Sequence, residues 1–317
     1  MRTLLAGLIA LACCAASAQS FPSKAIRILV PSVAGSSPDI RARQVAAKLA
    51  EAFGQPVIVE NRPGGNGIIA ARETVRAPAD GYTLFLALIN NAVGDVLKPD
   101  PCCKLNEALV PVSRFTMTPL VVVVNPSLGV SSLKELLERA RAKPDALTYA
   151  SGGPGSITEL LGEWIKSASG ARLLEVPYKS VGAEVPDLLS GQVSVGLIVP
   201  QSILAPVRAG KLRALAVSGS TRVSVLPEVP TLQEAGLAGV DAIVWNGLFV
   251  AAGTPPALIQ VLHREVVRAY NAPEVKEQVA RTGSEVAADT PEAFAAFVRA
   301  ENAKWSKVIR DAGIKPE

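Results

Sequence analysis

The sequence predicts an α/β protein with two lobes, mixed sheets and a helical C-terminus. Short runs rich in Val, Ile and Leu alternate with amphipathic helical patterns over most of the 317 residues, which is typical of βαβ units. A chain of this length is too long for one ordinary hydrophobic core and suits two. The last third of the chain changes to mainly helical patterns.

The predicted elements follow one another in a regular order. Strands are predicted at IRILVP from Ile26, PVIVEN, YTLFLAL, PLVVVVN, LTYAS, RLLEVPY, QVSVGLI and LRALAVSG. Helices are predicted at Asp39 to Phe53, after Asn66, at SSLKELLERARA, from Ser156, at VPDLLSG and SILAPVRAG, and at two long C-terminal segments that follow Thr254-Pro255 and Thr290-Pro291. Residues 19–122 and 224–317 are predicted to form lobe 1, and residues 123–223 lobe 2.

The N-terminus has the features of a secretory signal peptide. Arg2 precedes an apolar run of about 14 residues, and a small-residue cleavage signal ends at Ala18, so residues 1–18 are predicted to be removed on export to the bacterial periplasm. A membrane anchor is one alternative, but it needs ~18–20 apolar residues. Lipid attachment at Cys13 or Cys14 is another, although neither cysteine follows the usual residues.

Composition excludes some classes of function. The net charge of +4, from 32 basic and 28 acidic residues, is too balanced to indicate nucleic-acid binding. Only 4% of residues are aromatic, so the core is predicted to consist of Val, Ile, Leu and Ala. Cys102 and Cys103 are adjacent and are expected to be two solvent-side thiols or a local bridge, with a strained vicinal bridge or an intermolecular link as alternatives. No zinc-type spacing is present, and we expect no metal and no cofactor.

Three turns between a strand and a helix could bind an anion. In PSVAGSSPDI, Gly35 allows a sharp turn, Ser37 is predicted as the N-cap, Pro38 fits the first helical position and Asp39 lies in the first turn. A helix N-terminus has free N–H groups, to which the hydroxyls of Ser36 and Ser37 could add donors. The alternative is an ordinary turn without a ligand.

The second turn repeats this arrangement in GGPGSITEL after strand LTYAS. Ser156 and Glu159 have capping-box spacing, and the glycines leave backbone N–H groups open to a ligand. The third turn is PYKSVGAEV, ahead of a helix near Pro186. Together the three turns are compatible with a carboxylate cradle.

Signs of catalysis are weak in this sequence. The one histidine, His263, is predicted on a solvated helix face, and no G-x-S-x-G elbow is present. Gly65, Gly67 and Ala70 have the spacing of a dinucleotide fingerprint, but the next strand ends in asparagines instead of the acidic residue that holds a ribose. Trp245 is predicted to pack at a lobe boundary or cleft edge.

The chain resembles the Bug-type periplasmic receptors of tripartite tricarboxylate transporters. The matching stretches are collinear and cover essentially the whole mature chain: FPSKAIRILVP, GQPVIVENRPGGNG, ADGYTL, VVVNPSL, LTYASGGPGS, EVPYKSVGAEVPDLLSGQV, VRAGKLRALAVSG, LPEVPTLQEAG and KWSKVIRDAGIKPE. The resemblance implies a two-lobed periplasmic-binding-protein type II (Venus flytrap) fold. It also implies a carboxylate held by loops of both lobes, partly through bridging waters, and delivery to membrane partners.

Carried over residue by residue, the resemblance places the ligand contacts on the same three turns. They are Ala34, Gly35, Ser36, Ser37 and Asp39 in the first turn, Ser151, Gly155 and Ser156 in the second, and Ser180, Val181, Gly182 and Ala183 in the third. The resemblance implies a monomeric solute receptor that is not an enzyme. The alternative is a periplasmic enzyme on the same scaffold that acts on a small organic acid.

The first turn departs from the family pattern, as do two single positions. Ser36 replaces a glycine, Pro38 replaces a threonine, and Ile157 and Ile198 stand where polar residues are common. We therefore expect a cleft that is less polar than usual. The expected ligand has one carboxylate and an apolar or aromatic body, in contrast to citrate.

Overall fold

The computed structural model describes residues 21–178 and 183–314, so the predicted signal peptide lies outside the described residues. The strands are β1 (Ile26–Val30), β2 (Val57–Asn61), β3 (Thr83–Leu88), β4 (Leu109–Pro119), β5 (Val121–Val124), β6 (Thr148–Ser151), β7 (Leu174–Pro177), β8 (Val195–Ile198), β9 (Arg213–Val217), β10 (Ile243–Ala251) and β11 (Glu285–Val286). The α-helices are α1 (Ser37–Phe53), α2 (Ile68–Arg76), α3 (Ile89–Leu97), α4 (Leu133–Ala142), α5 (Ile157–Ser169), α6 (Val185–Ser190), α7 (Pro200–Arg208), α8 (Pro256–Asn271), α9 (Pro273–Arg281) and α10 (Pro291–Asp311). Within the two described ranges, no helix has the length and apolar character needed to cross a membrane.

The first sheet has the strand order β11-β4-β10-β3-β1-β2. Strand β1 pairs in parallel with β2 and β3, and β10 runs antiparallel between β3 and β4. Strand β3 is buried along most of its length, as expected for a central strand with helices on both faces. Because β1, β2 and β3 are parallel, their carboxyl ends lie at one edge of the sheet, and the segments that follow them meet there.

The second sheet has the strand order β7-β6-β8-β5-β9. Strand β6 is parallel to β7 and β8, whereas β5 is antiparallel to β8 and β9. All four valines of β5 are buried, which explains the dense apolar run in the sequence. The predicted two-lobed α/β fold with mixed sheets is confirmed.

The chain passes between the two sheets at Leu120 and again after Ser218, and hydrogen bonds join these two segments. Leu120 lies between β4 and β5, and Ser218 directly follows β9. The Leu120 N–H donates to Ser218 Oγ and the Ser218 N–H donates to the Leu120 carbonyl, each at 2.8 Å. Both residues are fully buried. We propose that the lobe boundaries lie after residues 122 and 223.

Aromatic contacts connect the C-terminal helix, α10, to elements of both lobes. Trp245, predicted at a lobe boundary or a cleft edge, is fully buried against Phe294 and Phe297 of α10, which excludes the cleft edge. The ring of Trp164, in α5, meets the ring of Trp305, in α10, edge to face with centroids 5.8 Å apart. Helix α10 therefore packs against the first sheet and also against a helix of the second.

Two expectations about single residues are wrong. Cys102 is exposed, but Cys103 is buried in the hydrophobic core, so the two thiols do not share a solvent-facing side. His263 is half-buried, and its Nδ1 has no hydrogen-bond partner among the described residues. Its place on α8, which packs against the first sheet, explains why it is not on a fully solvated face.

Candidate functional site

The first predicted turn joins β1 to α1. The helix begins at Ser37, so Ser36 occupies the N-cap position that the sequence assigned to Ser37. The Ser36 hydroxyl does not cap the helix; it donates to the Val33 carbonyl at 2.7 Å and lies 2.8 Å from Ser32 Oγ. Ala34, Gly35 and Ser37 are exposed, so this turn presents backbone and one hydroxyl to solvent.

Asp39 organises this turn from within. Its buried carboxylate accepts hydrogen bonds from the Gly35 N–H at 2.9 Å, from Asn61 Nδ2 at 2.9 Å and from Arg43 Nε at 3.0 Å. Burial raises the pKa of Asp39, but these donors outweigh it and hold the pKa below its ordinary value. The carboxylate is therefore ionised and turned toward the protein, so it positions the turn instead of presenting a charge to a ligand.

The second turn joins β6 to α5 and contains the predicted cap. Ser156 Oγ accepts a hydrogen bond from the Glu159 N–H at 3.1 Å. The Glu159 carboxylate reaches back to the Gly155 N–H at 2.6 Å. Ser156 is 6% exposed and Ser151 is 3% exposed, so both hydroxyls shape the turn from inside it.

The third turn lies largely outside the described residues. Of its predicted contacts, Ser180, Val181 and Gly182 fall in that gap, and Ala183 is exposed at its far side. The near side is fixed by Tyr178, whose N–H donates to the Ser151 carbonyl and whose hydroxyl donates to Asp187 at 2.7 Å. The start of the third turn is thus hydrogen-bonded to the second.

The two lobes approach each other at Asn66 and Gly155. A Cβ added to Gly155 would lie 3.2 Å from Asn66 Nδ2, so the second turn contacts the segment that follows β2. Asn91 Nδ2 donates to the Asn66 carbonyl at 3.0 Å. A Cβ added to Gly67 would lie 3.1 Å from Cβ of Pro31, the residue that follows β1. The end of β1 is therefore linked, through Gly67 and Asn66, to the turn after β6.

The sequence reasoning did not select Asn66 and Asn91 as site residues. Both follow strands of the first sheet. Their amide side chains at the carboxyl ends of parallel strands, where ligands commonly bind, could have indicated them as site residues. Asn66 adopts a left-handed conformation with φ of 49°, between two glycines. The approach of Asn66 to Gly155 of the other lobe is a contact between distant segments, which no local pattern reveals.

A cavity of about 730 Å³ adjoins the Asn66–Gly155 contact. Its lining includes five acidic residues and one lysine: Asp95, Asp100, Glu159, Glu163, Glu175 and Lys98. Burial raises the pKa of Asp95 to about 6. We call this space the acidic cavity. Its field repels anions, so a ligand carboxylate is better held at the two helix N-termini than inside it.

Two of the residues from which a less polar cleft was predicted do not face the cleft. Ile157 is 4% exposed and Ile198 is fully buried, and each packs in a hydrophobic core. Strand and helix periodicity turns both side chains inward. Neither residue therefore affects the polarity of the cleft. Of the apolar residues on which that prediction was based, only Pro38, which is half-buried, remains.

Comparison with known proteins agrees with this arrangement. Residues 41–314 match the family model described as the tripartite tricarboxylate transporter family receptor. Protein BugT of Bordetella pertussis is 37% identical over 301 residues, which cover 94% of this chain and 92% of that protein.

Two solved structures of ligand complexes are similar to the whole fold. An adipate-bound protein of R. palustris is 30% identical with a TM-score of 0.83, and the match covers 94% of this chain and all of that one. MatC from Rhodopseudomonas palustris with bound malate is 28% identical with a TM-score of 0.80, covering 91% of this chain and all of that one. The chain therefore belongs to the tripartite tricarboxylate transporter receptor family, as a Bug-type periplasmic solute-binding protein.

Proposed function

We propose that this chain captures a small organic carboxylate in its interlobe cleft and delivers it to membrane subunits of a tripartite tricarboxylate-type transporter. One observation carries the proposal: each sheet contributes a turn that leads from a parallel strand into a helix N-terminus, and the lobes approach each other at Asn66 and Gly155 beside these turns. Such N-termini offer unpaired N–H groups and a positive dipole end to an anion. The adipate and malate complexes of related proteins support a carboxylate ligand.

We assign different roles to the proposed site residues. Ala34, Gly35, Ser37 and Ala183 are exposed and supply direct contacts. Buried hydroxyls and the Asp39 carboxylate hold the turns in place; the positioning residues are Ser36, Asp39, Ser151 and Ser156, and Gly155 keeps the second turn close to Asn66. Ser180, Val181 and Gly182 complete the proposed set by resemblance to the family.

For the ligand we propose one carboxylate and an apolar or aromatic body. The support is the acidic cavity beside Gly155, because five acidic residues and one lysine line it, so a second or third ligand carboxylate directed there would meet net negative charge. Citrate-like acids are accordingly disfavoured. Ile157 and Ile198, both buried, give no support to this ligand class.

A thermal-shift screen tests the ligand class. Monocarboxylates such as benzoate, dicarboxylates such as adipate and tricarboxylates such as citrate are compared at equal concentration. A ligand present at ~100 times its Kd adds about 2.7 kcal/mol to the free energy of unfolding, which raises Tm by several degrees. We expect the largest shift from monocarboxylates; stabilisation by citrate alone would contradict the proposed ligand class.

We also propose that the receptor is exported and monomeric. N-terminal sequencing of protein recovered from the periplasm is expected to begin at Gln19, and light scattering is expected to give the mass of one chain. Detection of Met1 at the N-terminus would contradict cleavage of the signal peptide. A stable dimer would contradict the proposed monomer.

A further inference from the structure

Three potential metal ligands lie together in the segment that follows α3. A carboxylate oxygen of Asp100 and the sulfurs of Cys102 and Cys103 are all within 4.8 Å of one another. The sequence offered no zinc-type spacing, because these residues come from a single turn and not from two separated pairs. The cluster supplies none of the proposed contacts to the ligand carboxylate.

The two thiols are poorly suited to form a bridge with each other. Adjacent residues have Cα atoms ~3.8 Å apart, below the ~4.4–6.8 Å that disulfides usually span. Both cysteines are free, with Cys102 exposed and Cys103 buried. The pair therefore presents two sulfur donors side by side, one reachable from solvent.

Asp100 is held in place by Arg72, which lies outside the cluster, and by the backbone of Cys102. Its Oδ2 accepts from Arg72 Nε at 3.0 Å and from Arg72 Nη2 at 2.5 Å, and its Oδ1 accepts from the Cys102 N–H at 3.0 Å. Both lone pairs of Oδ2 are used by Arg72, and Oδ1 keeps one lone pair beyond its bond to the Cys102 N–H. Partners of this kind orient ligands in metal sites, where their loss typically weakens binding about 10- to 100-fold.

We propose that Asp100, Cys102 and Cys103 bind one thiophilic divalent cation of the zinc type, with water in the fourth position. Two thiolates and one carboxylate beside the Arg72 guanidinium leave two net negative charges, which a divalent ion neutralises. Sulfurs ~2.3 Å from a tetrahedral ion are about 3.8 Å apart, so side-chain rotation within the turn closes the site. Asp100 and Cys103 also line the acidic cavity, whose field favours a cation.

Calorimetric titration of the exported, reduced protein with Zn²⁺ tests this site, with Mg²⁺ and Ca²⁺ as hard-cation comparisons. We expect one Zn²⁺ per chain and no comparable binding of the hard cations. Cd²⁺ should produce a thiolate charge-transfer band in the ultraviolet. Absence of Zn²⁺ binding, or absence of the cadmium band, would overturn the site.

Variants distinguish Zn²⁺ binding at this site from Zn²⁺ binding to surface carboxylates in general. Cys102→Ser and Asp100→Asn should each weaken Zn²⁺ binding at least about tenfold. Asp145→Asn is the matched control, because Asp145 is also a surface aspartate paired with an arginine, Arg172. It should leave the affinity within about twofold of wild type, since it removes no ligand. Equal affinity in Cys102→Ser and wild type, or an equal loss in the control, would overturn the proposal.

Discussion

The buried carboxylate of Asp39 accepts a hydrogen bond from the backbone N–H of Gly35, 2.9 Å away, across the turn that joins β1 to α1. Gly35 has a φ of 79°, a left-handed conformation that glycine adopts without strain. The first turn of the helix therefore fixes the loop before it. Because Asn61 and Arg43 bind the same carboxylate, the turn is also tied to the end of β2.

Replacing Asp39 should weaken the fold and the site together. Asp39→Ala leaves the Gly35 N–H and the Asn61 amide without their acceptor, and we expect the free energy of unfolding to fall by ~2–3 kcal/mol. Carboxylate binding should weaken as the turn loosens. Urea denaturation measures the first effect and calorimetry the second. Asp80→Ala, at a partly exposed surface pair with Lys24, is the control and should cost under ~1 kcal/mol. Equal losses in the two variants would refute the positioning role.

Ser156 and Ser132 form a matched pair of helix caps. Each side chain accepts from the N–H of a glutamate three residues later, at 3.1 Å and 3.2 Å, but only Ser156 lies at the proposed ligand turn. Ser156→Ala and Ser132→Ala should each lower the free energy of unfolding by ~1 kcal/mol. Only Ser156→Ala should also weaken carboxylate binding in calorimetry. The same affinity in both variants would remove Ser156 from the site.

Asp95 should make stability depend on pH in the opposite sense to Asp39. Burial raises its pKa to about 6 in the folded protein, against ~3.9 when unfolded, so the unfolded state loses its proton first as pH rises. Its contribution to the free energy of unfolding therefore falls between about pH 4 and pH 6 and stays low above that range.

Asp95→Asn is expected to remove this dependence. The amide oxygen can still accept from the Leu105 N–H, so the variant should be ~1–3 kcal/mol more stable than wild type at pH 7.5 and no more stable at pH 3.5. Urea denaturation at the two pH values measures the difference. A gain of equal size at both values would show that charge is not its cause.

The sequence predicts best what depends on local pattern. Alternating apolar runs located the strands, and the spacing of Ser156 and Glu159 located a helix start, because both signals lie within a few residues of the feature. Asp39 was selected as a site residue, but its inward role depends on Asn61, which is distant in sequence and adjacent only after β1 and β2 pair.

The errors share one physical cause. The burial of Cys103 and Ile198, and the approach of Asn66 to Gly155, are set by contacts between elements far apart in the chain. Periodicity alone does not say which face of a short strand meets another layer. Residue patterns predicted the first two turns correctly as strand-to-helix connections but could not show which side chains point into the cleft.

The most direct measurement is a crystal structure of the complex with the carboxylate that gives the largest thermal shift. The proposed site predicts a carboxylate whose oxygens lie within ~3.2 Å of donors from both turns, residues 34–37 on one lobe and 152–158 on the other. A carboxylate bound by one lobe alone, or within the acidic cavity among Glu159, Glu163 and Glu175, would contradict it.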